Sequence, residues 1–211
     1  MFLFFLDKIM PWAVLLPIVF GLFYYPRLEV SGKYILLYTC IGAVFNLLAD
    51  YFTGRYGNNM PVFHIYAVLE FTVCVLFFRS VFSGSRLTRF FPWVIFSFVI
   101  LSTFNIFFIQ NIFSFNSYPR TIAAVTIIVL CLWHMYRMLG RKPDSATGNS
   151  SLTICVGLLL YFSGSLFLFM FGRYLQESRL AVEFGWSVHA LLVLTMYLFF
   201  TVAFYQSRNR V

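Results

Sequence analysis

Residues 61–78 read PVFHIYAVLEFTVCVLFF, an almost wholly apolar run with one acidic side chain, Glu70, near its middle. A helix of about 20 apolar residues crosses the ~30 Å hydrocarbon core of a bilayer, whereas a membrane strand needs only about 10 residues of alternating polarity. The run therefore predicts a transmembrane helix. An ionisable group at that depth costs about 2.5 kcal/mol or more, so Glu70 predicts a polar interior among the helices.

Six further apolar segments accompany this run. They are Ile9–Tyr25, Tyr34–Phe52, Phe90–Ile109, Thr121–Leu139, Leu152–Gly172 and Phe184–Tyr205. Of the 211 residues, 61% are hydrophobic and 10% are charged, whereas about a quarter of a soluble globular chain is charged. The composition excludes a large soluble domain and a disordered chain. It predicts an all-α polytopic membrane protein, in which residues 1–211 form a single domain of seven transmembrane helices.

The lysines and arginines predict the orientation of the chain. With the N terminus outside, ten of the 15 lie on the inner side. They are Arg27, Lys33, Arg79, Arg86, Arg89, Arg137, Arg141, Lys142, Arg208 and Arg210. Because short cytoplasmic loops are enriched in positive charge, the pattern favours N-out and C-in. We expect a multi-pass protein of the bacterial inner membrane, with a periplasmic N terminus and a cytoplasmic C terminus.

A weak internal repeat relates the second and sixth segments. Tyr38 ends a Leu-Leu-Tyr triplet, and His64 follows it by 26 residues. Tyr161 ends the same triplet, and His189 follows it by 28 residues. The two segments run in the same direction, so the match predicts a 3+1+3 parallel repeat with the fourth helix as linker. Parallel repeats occur in membrane transporters.

The polar side chains within the segments concentrate in the predicted outer half of the membrane. Lipid offers them no hydrogen bonds, so they are expected to face the bundle interior. One interpretation is an outward-facing cavity with Glu70 at its floor and with Arg120, Arg173 and Glu183 around its mouth. The other is a set of interhelical hydrogen bonds that fix the packing. The candidate ligand-binding residues are Glu70, His64, His189, Asp50, Asn46 and Asn105.

Several chemistries find no support in the sequence. Zinc ligands must converge within ~2.1 Å of one ion, and His134 is expected more than ~10 Å below His64 and His189 on the helix rise, which argues against a three-histidine site. A site built from His64, His189 and either Glu70 or Asp50 is the alternative, but no metal is predicted. No nucleotide-binding loop or nucleophile elbow is present, and the four cysteines form no paired motif. We therefore predict no catalytic residues, no cofactor and no nucleic-acid partner.

Four stretches carry a family resemblance. They are residues 107–110 (FFIQ), 115–118 (FNSY), 161–164 (YFSG) and 186–189 (WSVH), and Asn59, His64 and Glu70 fit the same pattern on the third segment. With these motifs, the chain resembles a family of small uncharacterised bacterial seven-helix integral membrane proteins. The resemblance implies a fold and a membrane location and assigns no catalytic or binding residue.

Three functions are open at this stage. The first is a receptor-like sensing module that binds a small or lipidic ligand in the outward-facing polar cavity and contacts a cytoplasmic signalling partner such as a kinase. The second is a small-solute or proton-coupled transporter of the 3+1+3 type, with Glu70 as the coupling site. The third is an intramembrane lipid-modifying enzyme that uses His64, His189, Asp50 and Glu70, which would have to lie within ~4 Å of one another or around a metal ion.

Overall fold

A computed structural model describes the backbone of residues 10–139, 146–175 and 179–209, and every regular element in these ranges is helical. Short 3-10 turns precede or follow several of the α-helices. The α-helices are α1 (Leu15–Phe23), α2 (Val30–Tyr56), α3 (Met60–Val81), α4 (Phe91–Phe108), α5 (Ser117–Leu139), α6 (Ala146–Leu175) and α7 (Arg179–Gln206).

Six of these helices, α2 to α7, are long and apolar enough to cross a membrane. The predicted all-α membrane architecture is confirmed to that extent, because each of the six overlaps one of the predicted segments. The first segment differs, since its described part forms only a short apolar helix, Trp12–Phe23. The seventh span, the sidedness of the termini and the 3+1+3 repeat therefore stay predictions.

Proline and glycine mark where the chain turns between α2 and α3. Gly57 follows α2 with a φ of 71°, a left-handed conformation that costs glycine little and ends helices readily. The Met60 amide then donates to the Asn58 side-chain oxygen at 2.8 Å, and Pro61 stands in the first turn of α3, where no helical amide bond is lost. A connection this short makes α2 and α3 an antiparallel pair.

The helices form a closed ring in which α2 follows α1, α3 follows α2, and α7 returns to α1. α3 also contacts both α4 and α5, and α2 reaches across to α6 and α7. The membrane-crossing part of α3 is 56% buried, more than that of any other span, whereas the corresponding part of α4 is only 22% buried. α3 is thus the inner helix that carries Glu70 into the bundle, and α4 lies at its periphery.

Glycine allows α6 and α7 to approach closely. A Cβ atom built on Gly157 would lie 2.7 Å from the Cβ of Phe199, and one on Gly164 would lie 2.6 Å from a methyl carbon of Leu192. No side chain tolerates such distances without movement. Small residues at helix contacts are the usual means by which membrane helices gain van der Waals contact, because lipid provides no hydrophobic driving force between them.

Candidate functional site

A cavity of about 90 Å³ opens at the end of the bundle where α2 ends and α3 begins. We call it the α2–α3 cavity. Its walls come from α2, α3, α5, α6, α7 and the connection between α4 and α5, so five of the long helices meet around it. Exposed Asn46 and Trp186 stand among its lining residues. The volume equals that of about three water molecules at ~30 Å³ each.

Glu70 is held by two tyrosine hydroxyls. The Tyr38 hydroxyl donates to Glu70 Oε1 at 2.9 Å from α2, and the Tyr66 hydroxyl donates to the same oxygen at 3.2 Å from one turn earlier on α3. Glu70 is only 4% exposed. A buried carboxylate needs such donors, because burial without hydrogen bonds costs several kcal/mol. Tyr38 and Tyr66 line the α2–α3 cavity, and Glu70 lies behind them.

Arg120 supplies the positive charge of the cavity. It lies in the first turn of α5 and is only 9% exposed. Its guanidinium carbon stands 5.0 Å from the ring centre of Phe169, 5.7 Å from that of Phe63 and 5.8 Å from that of Tyr66. Cation–π contacts of this kind partly compensate a buried cation for its lost hydration.

The Arg120 guanidinium has no anionic partner among the side chains that the structure describes, and its Nε is buried without a hydrogen bond. Glu70 is near enough for a Coulombic attraction but makes no direct ion pair with Arg120 in the described bundle. The two charges thus act on the same cavity from different walls. A buried cation that lines a cavity and lacks an anion is an arrangement that native proteins rarely retain without a use.

The aromatic wall of the cavity is built around His189 on α7. Its ring lies 5.5 Å from that of Tyr161 and 5.8 Å from that of Trp186, measured between ring centres. Its Nδ1 is 3.3 Å from the Ser165 hydroxyl of α6. These contacts fix the imidazole between α6 and α7, and His189, Tyr161 and Trp186 all line the cavity that Arg120 also borders.

Space for the tyrosine hydroxyls comes from Gly42 on α2. A Cβ atom built there would lie 3.6 Å from the hydroxyl of Tyr197 and 3.7 Å from that of Tyr66. Because Gly42 itself lines the cavity, both hydroxyls stand at the cavity wall. A larger side chain at this position would fill the volume that glycine leaves free.

Of the six predicted site residues, the structure brings Asn46 and His189 to the cavity wall. Glu70 is placed differently from the expectation that it forms the floor, since the Tyr38 and Tyr66 hydroxyls stand between its carboxylate and the cavity. The physical reason is the cost of an exposed carboxylate at this depth, which the two donors reduce.

The other three predicted residues are not among those that line the cavity. Asp50 is exposed on α2. The buried His64 donates from Nε2 to the backbone carbonyl of Ser114 at 3.1 Å, and the amide of Asn105 donates to Gln110 Oε1 at 3.1 Å. His64 and Asn105 thus hold the connection between α4 and α5 against α3 and α4.

In the described part of the chain, no hydrogen bond or ion pair joins any two of the four residues expected for an enzyme. His64, His189 and Glu70 each have separate partners, and Asp50 faces outward. Within the described ranges, no group of three histidine, cysteine, aspartate or glutamate side chains is arranged to hold a metal ion. Arg173 lies outside the described side chains, and Glu183 is exposed near the start of α7.

The sequence predicts Arg120 at the mouth of the cavity and not among the ligand-binding residues, and it assigns no binding role to Tyr38 or Tyr66. Arg120 was expected at the mouth because the apolar segment begins at Thr121, but α5 begins at Ser117. The signal was present in the spacing, since Arg120 continues the stripe of Ala123, Ala124 and Ile127 along one helix face, and all of these are buried. Tyr66 could likewise be paired with Glu70 by its spacing of four residues.

Comparison of the chain with protein families, curated proteins and solved structures gives no match in any of the three. The site must therefore be interpreted from its own chemistry. Around a small cavity, it combines one buried cation, several aromatic side chains, and two tyrosine hydroxyls that are hydrogen-bonded to a buried carboxylate. Such an arrangement can bind a small polar molecule, and it offers a place for an anion beside Arg120.

Proposed function

We propose that this helical membrane protein is a receptor-like binding module whose α2–α3 cavity takes a small anionic ligand beside Arg120. The observation that carries the proposal is the Arg120 guanidinium, which is buried, lines the cavity, and makes no ion pair among the described side chains. Carboxylates and phosphates match the fork of donors that a guanidinium presents. Binding such an anion would supply the missing counter-charge.

The size of the cavity restricts the ligand. An apolar cavity of about 150 Å³ accommodates benzene, whereas the α2–α3 cavity measures about 90 Å³. The ligand we propose is therefore no larger than benzene, with about four to six non-hydrogen atoms inside the protein. Acetate and glycine have this size. A lipid could enter only with part of its headgroup, through the side where Asn46 and Trp186 are exposed.

Thermal unfolding of the purified protein tests the proposal. The probes are acetate, glycolate, glycine and inorganic phosphate, each titrated against the protein in detergent. We expect at least one of them to raise the melting temperature in a saturable manner, because a ligand that binds only the folded state stabilises it. The rise should disappear in Arg120→Gln, which removes the cation. It should also disappear in Gly42→Leu, which fills the cavity.

Two controls make the result specific. Arg79→Gln removes a positive charge from an exposed position on α3 and should leave the ligand-dependent rise intact. Gly54→Leu enlarges a glycine that has nothing within 4 Å and should also leave it intact. If no probe shifts the wild-type protein, or if Arg120→Gln responds as the wild type does, the proposed function is wrong.

A transporter is the second candidate, and one observation favours it. Tyr38 and Tyr161, the residues that carry the suggested repeat, lie on different helices and line the same cavity. Binding sites at the interface of two repeats are a feature of transporters. Uptake of the bound probe into proteoliposomes separates a carrier from a receptor. Accumulation that depends on Arg120 would favour the carrier, and binding without uptake would favour the receptor.

A further inference from the structure

The hydrogen-bond directions around Glu70 define a second pole in the α2–α3 cavity. A tyrosine hydroxyl has one proton to donate and lone pairs with which to accept. Tyr66 donates that proton to Glu70 Oε1. Tyr38 donates to the same oxygen at 2.9 Å, with the Met196 sulfur at 3.7 Å as a more distant acceptor. Their oxygens therefore have only acceptor capacity left, and the negative charge behind them strengthens it.

The groups around these hydroxyls also favour a positively charged hydrogen-bond donor. Tyr197 brings its hydroxyl to the same free space beside Gly42, and the ring of Tyr161 borders the cavity. Aromatic faces attract ammonium groups at distances up to ~6 Å from the ring centre. This part of the cavity therefore suits a positively charged donor, whereas the part beside Arg120 suits an anion.

The two poles are close together. The Arg120 guanidinium carbon is 5.8 Å from the ring centre of Tyr66, whose hydroxyl is bound to Glu70. Hydrogen bonds of about 2.9 Å from a ligand to each pole leave room for only a short molecule between them. The cavity volume of about 90 Å³ imposes the same limit.

We infer that the ligand is a small zwitterion, in which an ammonium group is joined to an anion by one or two carbon atoms. The anion would lie beside Arg120 and the ammonium beside the Tyr38 and Tyr66 hydroxyls. This inference rests on the proposed function and assigns to Glu70 the role of a positioning residue that acts through the two tyrosines. Free amino acids such as glycine and β-alanine have this chemistry, and so does the ethanolamine phosphate headgroup of a lipid.

Calorimetric titration in detergent separates the two poles. The probes are glycine, β-alanine, acetate and methylamine. We expect glycine or β-alanine to bind the wild-type protein about tenfold or more tightly than acetate, which corresponds to ~1.4 kcal/mol. Methylamine should bind weakly, because it leaves Arg120 without an anion.

Variants then show whether the preference comes from the Glu70 pole. Tyr66→Phe removes one acceptor and should reduce the preference for the zwitterion over acetate several-fold, while acetate binding persists. Glu70→Gln should reduce it further, and Tyr66→Phe keeps the test decisive if Glu70→Gln does not fold. Tyr51→Phe, at an exposed position on α2, is the matched control and should change neither affinity.

Glycine binding measured in nanodiscs of different lipids shows whether the natural ligand is a lipid headgroup or a free amino acid. Discs of phosphatidylethanolamine should compete with glycine if a lipid headgroup is the natural ligand, whereas discs of phosphatidylglycerol should not. Equal glycine affinity in both lipids assigns the site to a free amino acid.

The outcomes also distinguish this inference from the proposal on which it rests. One such outcome is that acetate binds in an Arg120-dependent manner with the same affinity as glycine, and with no change in Tyr66→Phe. That result would overturn the zwitterion and would still support the anion site. Absence of Arg120-dependent binding by every probe would overturn both.

Discussion

Removal of the Tyr38 hydroxyl is expected to destabilise the bundle, and removal of the Tyr66 hydroxyl is not. Both hydroxyls donate to Glu70 Oε1, but Tyr38 does so from another helix at 2.9 Å and Tyr66 from the same helix at 3.2 Å. When α2 and α3 separate, the bond from Tyr38 is lost. The bond from Tyr66 can persist within an isolated α3, so it contributes little to the difference between the two states.

The magnitude follows from the groups involved. Interhelical hydrogen bonds in membrane proteins average about 0.6 kcal/mol and reach about 1.7 kcal/mol. Hydrogen bonds to charged groups contribute about 1.5–3 kcal/mol in proteins generally. Because Glu70 is 4% exposed and has only two donors in the described bundle, we expect Tyr38→Phe to cost about 1.5 kcal/mol and Tyr66→Phe less than about 0.5 kcal/mol.

Equilibrium unfolding in mixed micelles measures both values, and a double-mutant cycle of Tyr38→Phe with Glu70→Gln isolates the interaction between them. We expect a coupling energy of about 1 kcal/mol for that pair. The reasoning would be refuted by equal destabilisation in Tyr38→Phe and Tyr66→Phe, or by additive effects of Tyr38→Phe and Glu70→Gln.

Three further predictions concern the packing and the orientation. Gly157→Ala should destabilise by about 2 kcal/mol through overpacking against α7, whereas Gly54→Ala, with nothing within 4 Å, should be neutral or slightly stabilising in the same unfolding assay. His64→Leu should increase amide hydrogen exchange in residues 109–116, because the Ser114 carbonyl loses its donor; unchanged exchange there would contradict this role. With an N-out chain, a membrane-impermeant maleimide should label Asn111→Cys in intact cells and Ser83→Cys only after permeabilisation, and the reverse pattern would place the α2–α3 cavity on the cytoplasmic side.

Much of the fold follows from hydropathy alone, because a membrane helix must satisfy its own backbone and must be about as long as the bilayer is thick. The spans α2 to α7 therefore coincide with apolar segments of the sequence. The first helix could not be predicted as well. Its described part is only nine residues in α1 with a preceding 3-10 turn, although the apolar segment Ile9–Tyr25 is 17 residues long.

The presence of buried polar groups could be predicted from the sequence, but their partners could not. Glu70 indicates a polar interior because a carboxylate at its depth is costly. Which groups meet it depends on the rotation and contacts of α2, which the sequence leaves open because hydrophobic residues surround Tyr38 on every face. Arg120 shows a different limit, since a four-residue shift in the start of α5 moves a cation from a loop to a buried helix turn.

The short connection between α2 and α3 has a consequence for how the chain enters the membrane during synthesis. Because α2 is made first, the Tyr38 hydroxyl is available as a hydrogen-bond donor when α3 emerges. The Glu70 carboxylate can therefore enter with its partner helix as a hairpin, and Tyr66 accompanies it on the same helix. Arg120 arrives two helices later. The order of the chain thus gives the most costly side chain its hydrogen-bond donors before the cation of the cavity has been made.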